Sequence, residues 1–204
     1  MRHRWQCGGL FCYKNGCMIR PDYREALESQ HKILVVLWGV FIGGIFLYLW
    51  ISNVFLAERQ LAIAVSFSEA VRFVLWLLAL FDVATLMWWK KRFLTREAIL
   101  GGARQYKILQ VLQGHKTPLE ERAAQAVSSY VTSKIVAFAM AEAAAIYGFA
   151  MVLTSRYFLG QYILSVASAA LLLLDFPSRA FLMELLHEVE AGGEARPREE
   201  TAAP

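Results

Sequence analysis

Charge is scarce in this chain, and what there is lies between apolar blocks. Only 19% of the 204 residues are charged, against 57% hydrophobic, and the mean hydropathy is +0.41. That balance excludes an ordinary soluble domain of this size. A helical bundle buried in water would need amphipathic helices to cover its core, and too few are present. Cysteine is confined to the first 17 residues, as Cys7, Cys12 and Cys17. Their C-x4-C-x4-C spacing lacks the tight pairs of a zinc site, even with His3 added, so no metal site is expected. His3, His31, His115 and His187 lie in polar segments, which excludes haem ligation inside an apolar block. G-x-S-x-G, H-E-x-x-H, Walker A and G-x-G-x-x-G are all missing, so no catalytic residue and no cofactor are expected. No nucleic-acid-binding motif occurs either.

The apolar residues form long runs near 33–56, 72–89, 133–154 and 157–176. A helix needs about 20 such residues to cross a hydrocarbon core of about 30 Å. The runs lack the alternation of barrel strands, and only helices or closed barrels span lipid. The expected fold class is therefore all-α integral membrane, with four transmembrane helices in two antiparallel hairpins. Trp88 and Trp89 end the second run at Lys90-Lys91-Arg92, as interfacial anchors do. Residues 90–132 are expected to be a cytosolic helical connection. Within it Thr117-Pro-Leu-Glu120 has the residues of a capping box, and no Pro or Gly follows until Gly148. One helix from about 118 to 154 is expected. Pro177 should end the fourth block. Beyond it Phe181, Leu182, Leu185, Leu186 and Val189 share a helix face, predicting an amphipathic helix over 177–191 on the membrane surface or on the central segment. Residues 192–204 read as a disordered tail. Residues 1–32 read as a polar N-terminal segment, with 1–17 a disordered tail or an extension ahead of a start at Met18.

All Lys and Arg except Arg59, Arg72 and Arg156 lie in or beside the N-terminal segment, the central connection and the C-terminal tail. With four spans these three segments fall on one side. The positive-inside rule places them, and both termini, in the cytoplasm, with the cell (inner) membrane as the expected location. Membrane lipid is one expected partner, and a membrane protein or a second copy of the chain is another.

Two carboxylates lie mid-block, Asp82 and Glu142, with no Lys or Arg at their depth. A charge there is disfavoured by roughly 2.5–3.5 kcal/mol on insertion scales. The two acids are expected to lie close together and share one proton. They are the ion or proton candidates; a hydrogen-bonding role between helices is the alternative. Gly39 and Gly43 give a G-x-x-x-G spacing in the first block, and Ala141, Ala145 and Gly148 repeat small residues in the third. Both sets are helix-packing candidates.

The run Ala141-Glu-Ala-Ala-Ala-Ile-Tyr-Gly148 resembles, over residues 137–149, the second helix of the rotary ATP synthase proteolipid (c) subunit. In that family one carboxylate, followed by a similar Ile-Tyr-Gly, carries the proton or sodium ion. The resemblance implies that role for Glu142, with Tyr147 and Gly148 as packing neighbours. The functional expectation is a small multi-pass, non-enzymatic subunit or accessory factor; the alternative is proton or cation translocation through Asp82 and Glu142.

Overall fold

The computed structural model describes Ile19 and residues 21–56, 65–101 and 117–195. The three cysteines, residues 102–116 of the expected helical connection, and residues 196–204 lie outside the described residues. Among the described residues the structure is helical, with no strand. Helix α1 is Pro21–Ile51, followed by a π-helical turn at Ser52–Leu56; α2 is Val65–Phe93, α3 Arg96–Leu100, α4 Pro118–Ser155, α5 Phe158–Leu174 and α6 Arg179–Ala195.

Among the described residues three stretches are long and apolar enough to cross a membrane: Arg24–Val54, Glu69–Phe93 and Pro118–Ser155. A fourth is reached only if α5 and α6 count as one bent span. Alone, α5 has 17 residues, about 25 Å at 1.5 Å per residue. The fourth block is thus shorter than the expected 157–176. Asp175 caps α5, its N–H donating to the Leu171 and Leu172 carbonyls, and Pro177 has no N–H with which to continue. Helix α6 runs to Ala195, four residues past the expected end.

Helix α4 is continuous over 38 residues, as its sequence predicts. The Glu120 N–H donates to Thr117 Oγ1 at 3.3 Å, and the Thr117 N–H donates to Glu120 Oε2 at 3.1 Å. This reciprocal pair is the capping box, and it satisfies two of the orphan donors of the first turn. At its other end Arg156 has φ 54° and donates its N–H to the Val152 carbonyl at 3.0 Å. That is the αL helix stop, usually filled by glycine.

The chain divides into two compact units. The first comprises residues 1–32, 96–132 and 178–204. In it Leu182, Leu185, Leu186 and Val189 of α6 are buried, and Phe181 packs its ring 5.2 Å from that of Tyr130 on α4. Of the two settings expected for this amphipathic face, packing on the central segment is the one observed. Arg96 bonds Glu184 at 2.6 Å and Glu188 at 3.1 Å, and Arg179 bonds Glu28 at 3.1 Å. Both glutamates act to hold the exposed Arg96 guanidinium above its ordinary pKa. Exposed pairs of this kind add little stability.

The second unit comprises residues 33–95 and 133–177. Its contacts set the helix directions. At one end the Trp38 indole donates to the Leu172 carbonyl and the Trp89 indole to the Ser133 carbonyl. At the other, Gln161 bonds Ser52, and the Arg72 guanidinium lies 5.3 Å from the Tyr157 ring centre. Helices α1, α2, α4 and α5 therefore alternate in direction. Polar side chains are inside: Ser52, Gln161, Ser165 and Ser168 are buried. Large apolar ones are outside, with Phe46 and Phe81 66% exposed and Leu174 81% exposed.

Candidate functional site

The polar interior of the second unit is built around α4. Tyr147 follows Glu142 by five positions along its sequence, and each meets a different helix. Tyr48 of α1 donates its hydroxyl to Glu142 Oε1 at 3.1 Å. Tyr147 donates its own to Asp82 Oδ2 of α2 at 2.8 Å. The expected Asp82–Glu142 dyad is not formed: no hydrogen bond joins the two carboxyls among the described residues, and each has its own tyrosine. The physical reason is angular. Five residues turn a helix by about 140°, so the seam that holds Glu142 is not the one that reaches Asp82.

Small residues make these seams close. A Cβ added at Gly44 would stand 2.5 Å from Glu142 Oε1, so the glycine is what lets the carboxyl lie against α1. Gly39 and Gly43, the glycines singled out from spacing, face open space: a Cβ at either meets nothing within 4 Å. Their expected packing role within the chain is not observed, and the close approach belongs to the next position. The stripe on α4 does pack. Ala141 and Ala145 are buried, and a Cβ at Gly148 would lie 2.9 Å from Gln161 Cα. Ser168 donates to the Ala141 carbonyl at 2.6 Å. The ring of Tyr147 rests on the buried cluster of Ala79, Met151 and Leu164.

Two further polar groups escape a reading by charge alone. Gln161 is fully buried, and its amide nitrogen donates to Ser52 Oγ at 2.7 Å and to the Tyr48 carbonyl at 3.1 Å. Tyr48 thus holds Glu142 with its hydroxyl and Gln161 with its backbone. The available signal was the i, i+4, i+7 spacing of Gln161, Ser165 and Ser168 in an otherwise apolar block. At the opposite end Asp175 lies between two lysines, 2.6 Å from Lys90 Nζ and 3.3 Å from Lys134 Nζ. Lys134 also donates to the Asp175 carbonyl at 3.1 Å, where the C-terminus of α5 favours a cation.

Chemically, the interior offers hydrogen-bond locks between helices, two of them made by carboxyls. Among the described residues no group of three His, Cys, Asp or Glu side chains could hold a metal. Compared with models of known protein families, with curated proteins and with solved structures, the chain finds no match in any of the three.

Proposed function

We propose that this chain is a four-span integral membrane protein, a non-enzymatic subunit or accessory factor, whose intramembrane acids act as locks between helices. Its outward apolar and inward polar side chains suit lipid as the surrounding solvent. In this reading both termini and the central connection are cytoplasmic and the cell (inner) membrane is the site, which the distribution of Lys and Arg supports. The observation that carries the reading is that Glu142 and Asp82 are each engaged by one tyrosine, on separate seams. A transport pathway through both acids would bring them into one polar space.

A second reading, proton or cation translocation through Asp82 and Glu142, is favoured by one observation: both side chains are half-buried, not sealed. Reconstitution separates the two. Glu142→Gln and Asp82→Asn should fold, and proteoliposomes of the unchanged protein should be no leakier to protons or sodium than empty ones. An ion flux that disappears with Glu142→Gln would replace the lock reading with the transport one.

A further inference from the structure

Two buried oxygens on α5 lack a partner. Gln161 is 0% exposed and Ser165 1%, and neither Gln161 Oε1 nor Ser165 Oγ has a hydrogen-bond partner among the described residues. The orientation of the Gln161 amide is set by its neighbours. Its nitrogen faces the Tyr48 carbonyl, which can only accept, so turning the amide over would oppose two acceptors. Oε1 is therefore left as an acceptor in need of a donor. Unmet buried polar atoms are rare, and water is what ordinarily meets them.

Register places these oxygens beside Glu142. Across α4 and α5, Ser168 meets Ala141 and Gln161 meets Gly148. Ser165 falls between those contacts, about half a turn of helix (~3 Å) from the level of Glu142. Across α1 and α5, Trp38 meets Leu172 and Ser52 meets Gln161, which sets Gly44 between them. Gly44 is where the Glu142 carboxyl rests. The seam reaches the surface at the π-helical turn. There Asn53 donates to the Leu49 carbonyl and accepts a 2.6 Å bond from Tyr162, both side chains being exposed. Turns of this kind recur at functional sites.

We infer that the seam between α1, α4 and α5 holds water on Gln161 Oε1 and Ser165 Oγ, and so gives the Glu142 carboxyl proton exchange with the end of the bundle at Ser52 and Asn53. Water fits because it donates to Gln161 Oε1 and both donates to and accepts from Ser165 Oγ. The step is exchange alone: the carboxyl O–H bond breaks as a water O–H bond forms, and a water O–H bond breaks as a new carboxyl O–H bond forms, so neither partner changes its charge. It holds whether Glu142 is a lock or a carrier.

The test uses the full chain in liposomes. The infrared carbonyl band of protonated Glu142 is assigned as the one lost in Glu142→Gln. Its isotope shift is followed after transfer to heavy water, at a pH where the band is present. Exchange should be fast in the unchanged protein and about tenfold slower in Ser165→Ala and in Gln161→Met, since each removes one oxygen that holds water. Ser165→Ala removes a single unpartnered hydroxyl, so it keeps its thermal unfolding and decides the matter if Gln161→Met fails to fold. Equal exchange rates in all the proteins, or an acid proton in the unchanged protein as slow as the core amides, would overturn the inference.

Discussion

Glu142 and Tyr147 share α4 but serve different neighbours: Glu142 takes a bond from Tyr48 of α1, and Tyr147 gives one to Asp82 of α2. One helix is thereby tied to two others through two carboxyl–tyrosine pairs. Interhelical hydrogen bonds in membranes average about 0.6 kcal/mol and reach about 1.7. The pairs are thus modest in energy, and their value lies in fixing which faces of α1, α2 and α4 meet.

The glycines supply a graded test of packing. Gly148→Ala puts a methyl against the Gln161 backbone, which cannot move aside. It should cost about 1–3 kcal/mol, as overpacking does. Gly44→Ala meets the end of the Glu142 side chain, with the Tyr48 hydroxyl 3.8 Å away, and should cost less. Gly39→Ala and Gly43→Ala meet nothing within the chain and should leave unfolding unchanged. Unfolding in mixed detergent, followed by helix signal, would rank them.

Asp175 stands between Lys90 and Lys134 with its side chain only 9% exposed. Asp175→Asn would leave two confined cations without a counter-charge. The loss should be on the order of 3 kcal/mol, as when one partner of a buried pair is removed. Lys90→Met leaves Asp175 with Lys134 and should cost clearly less. The same unfolding measurement applies.

Arg156 adopts φ 54° in the turn between α4 and α5. A side chain in this region costs roughly 1–2 kcal/mol that glycine does not incur. Arg156→Gly should therefore be neutral or stabilising by up to about 1 kcal/mol. A raised unfolding midpoint is the expected result.

Much of this was legible beforehand, for reasons that differ by element. The extent of α4 could be read because Thr117 and Glu120 announce its start and no breaker interrupts the run to Gly148. The α6 face could be read because its apolar positions recur at helical spacing among charges. The partners of the two acids could not. Helices apolar enough to cross a membrane carry apolar residues all round, so periodicity does not tell which face meets which neighbour. Spacing therefore pointed to Gly39 and Gly43, and the contact is at Gly44. Tyr48 carries no charge and gave no signal of its own, and Gln161 signals only through its helical spacing with Ser165 and Ser168.

Topology is open to direct labelling. Single cysteines at Gln60 and Gly114, in protein whose native cysteines are replaced, should react with an impermeant thiol reagent in opposite ways. Gln60→Cys should label from outside intact cells, and Gly114→Cys only after the membrane is opened. Labelling of Gly114→Cys from outside would sink the cytoplasmic placement.

Double-mutant cycles test most directly that each acid is locked by its own tyrosine and not by the other acid. The substitutions are Tyr48→Phe, Glu142→Ala, Tyr147→Phe and Asp82→Ala, measured by unfolding in mixed detergent. Coupling of about 0.5–1.5 kcal/mol is expected within Tyr48–Glu142 and within Tyr147–Asp82. Between Glu142 and Asp82 the effects should add within about 0.5 kcal/mol. Strong coupling between the two acids, with none to the tyrosines, would contradict separate locks.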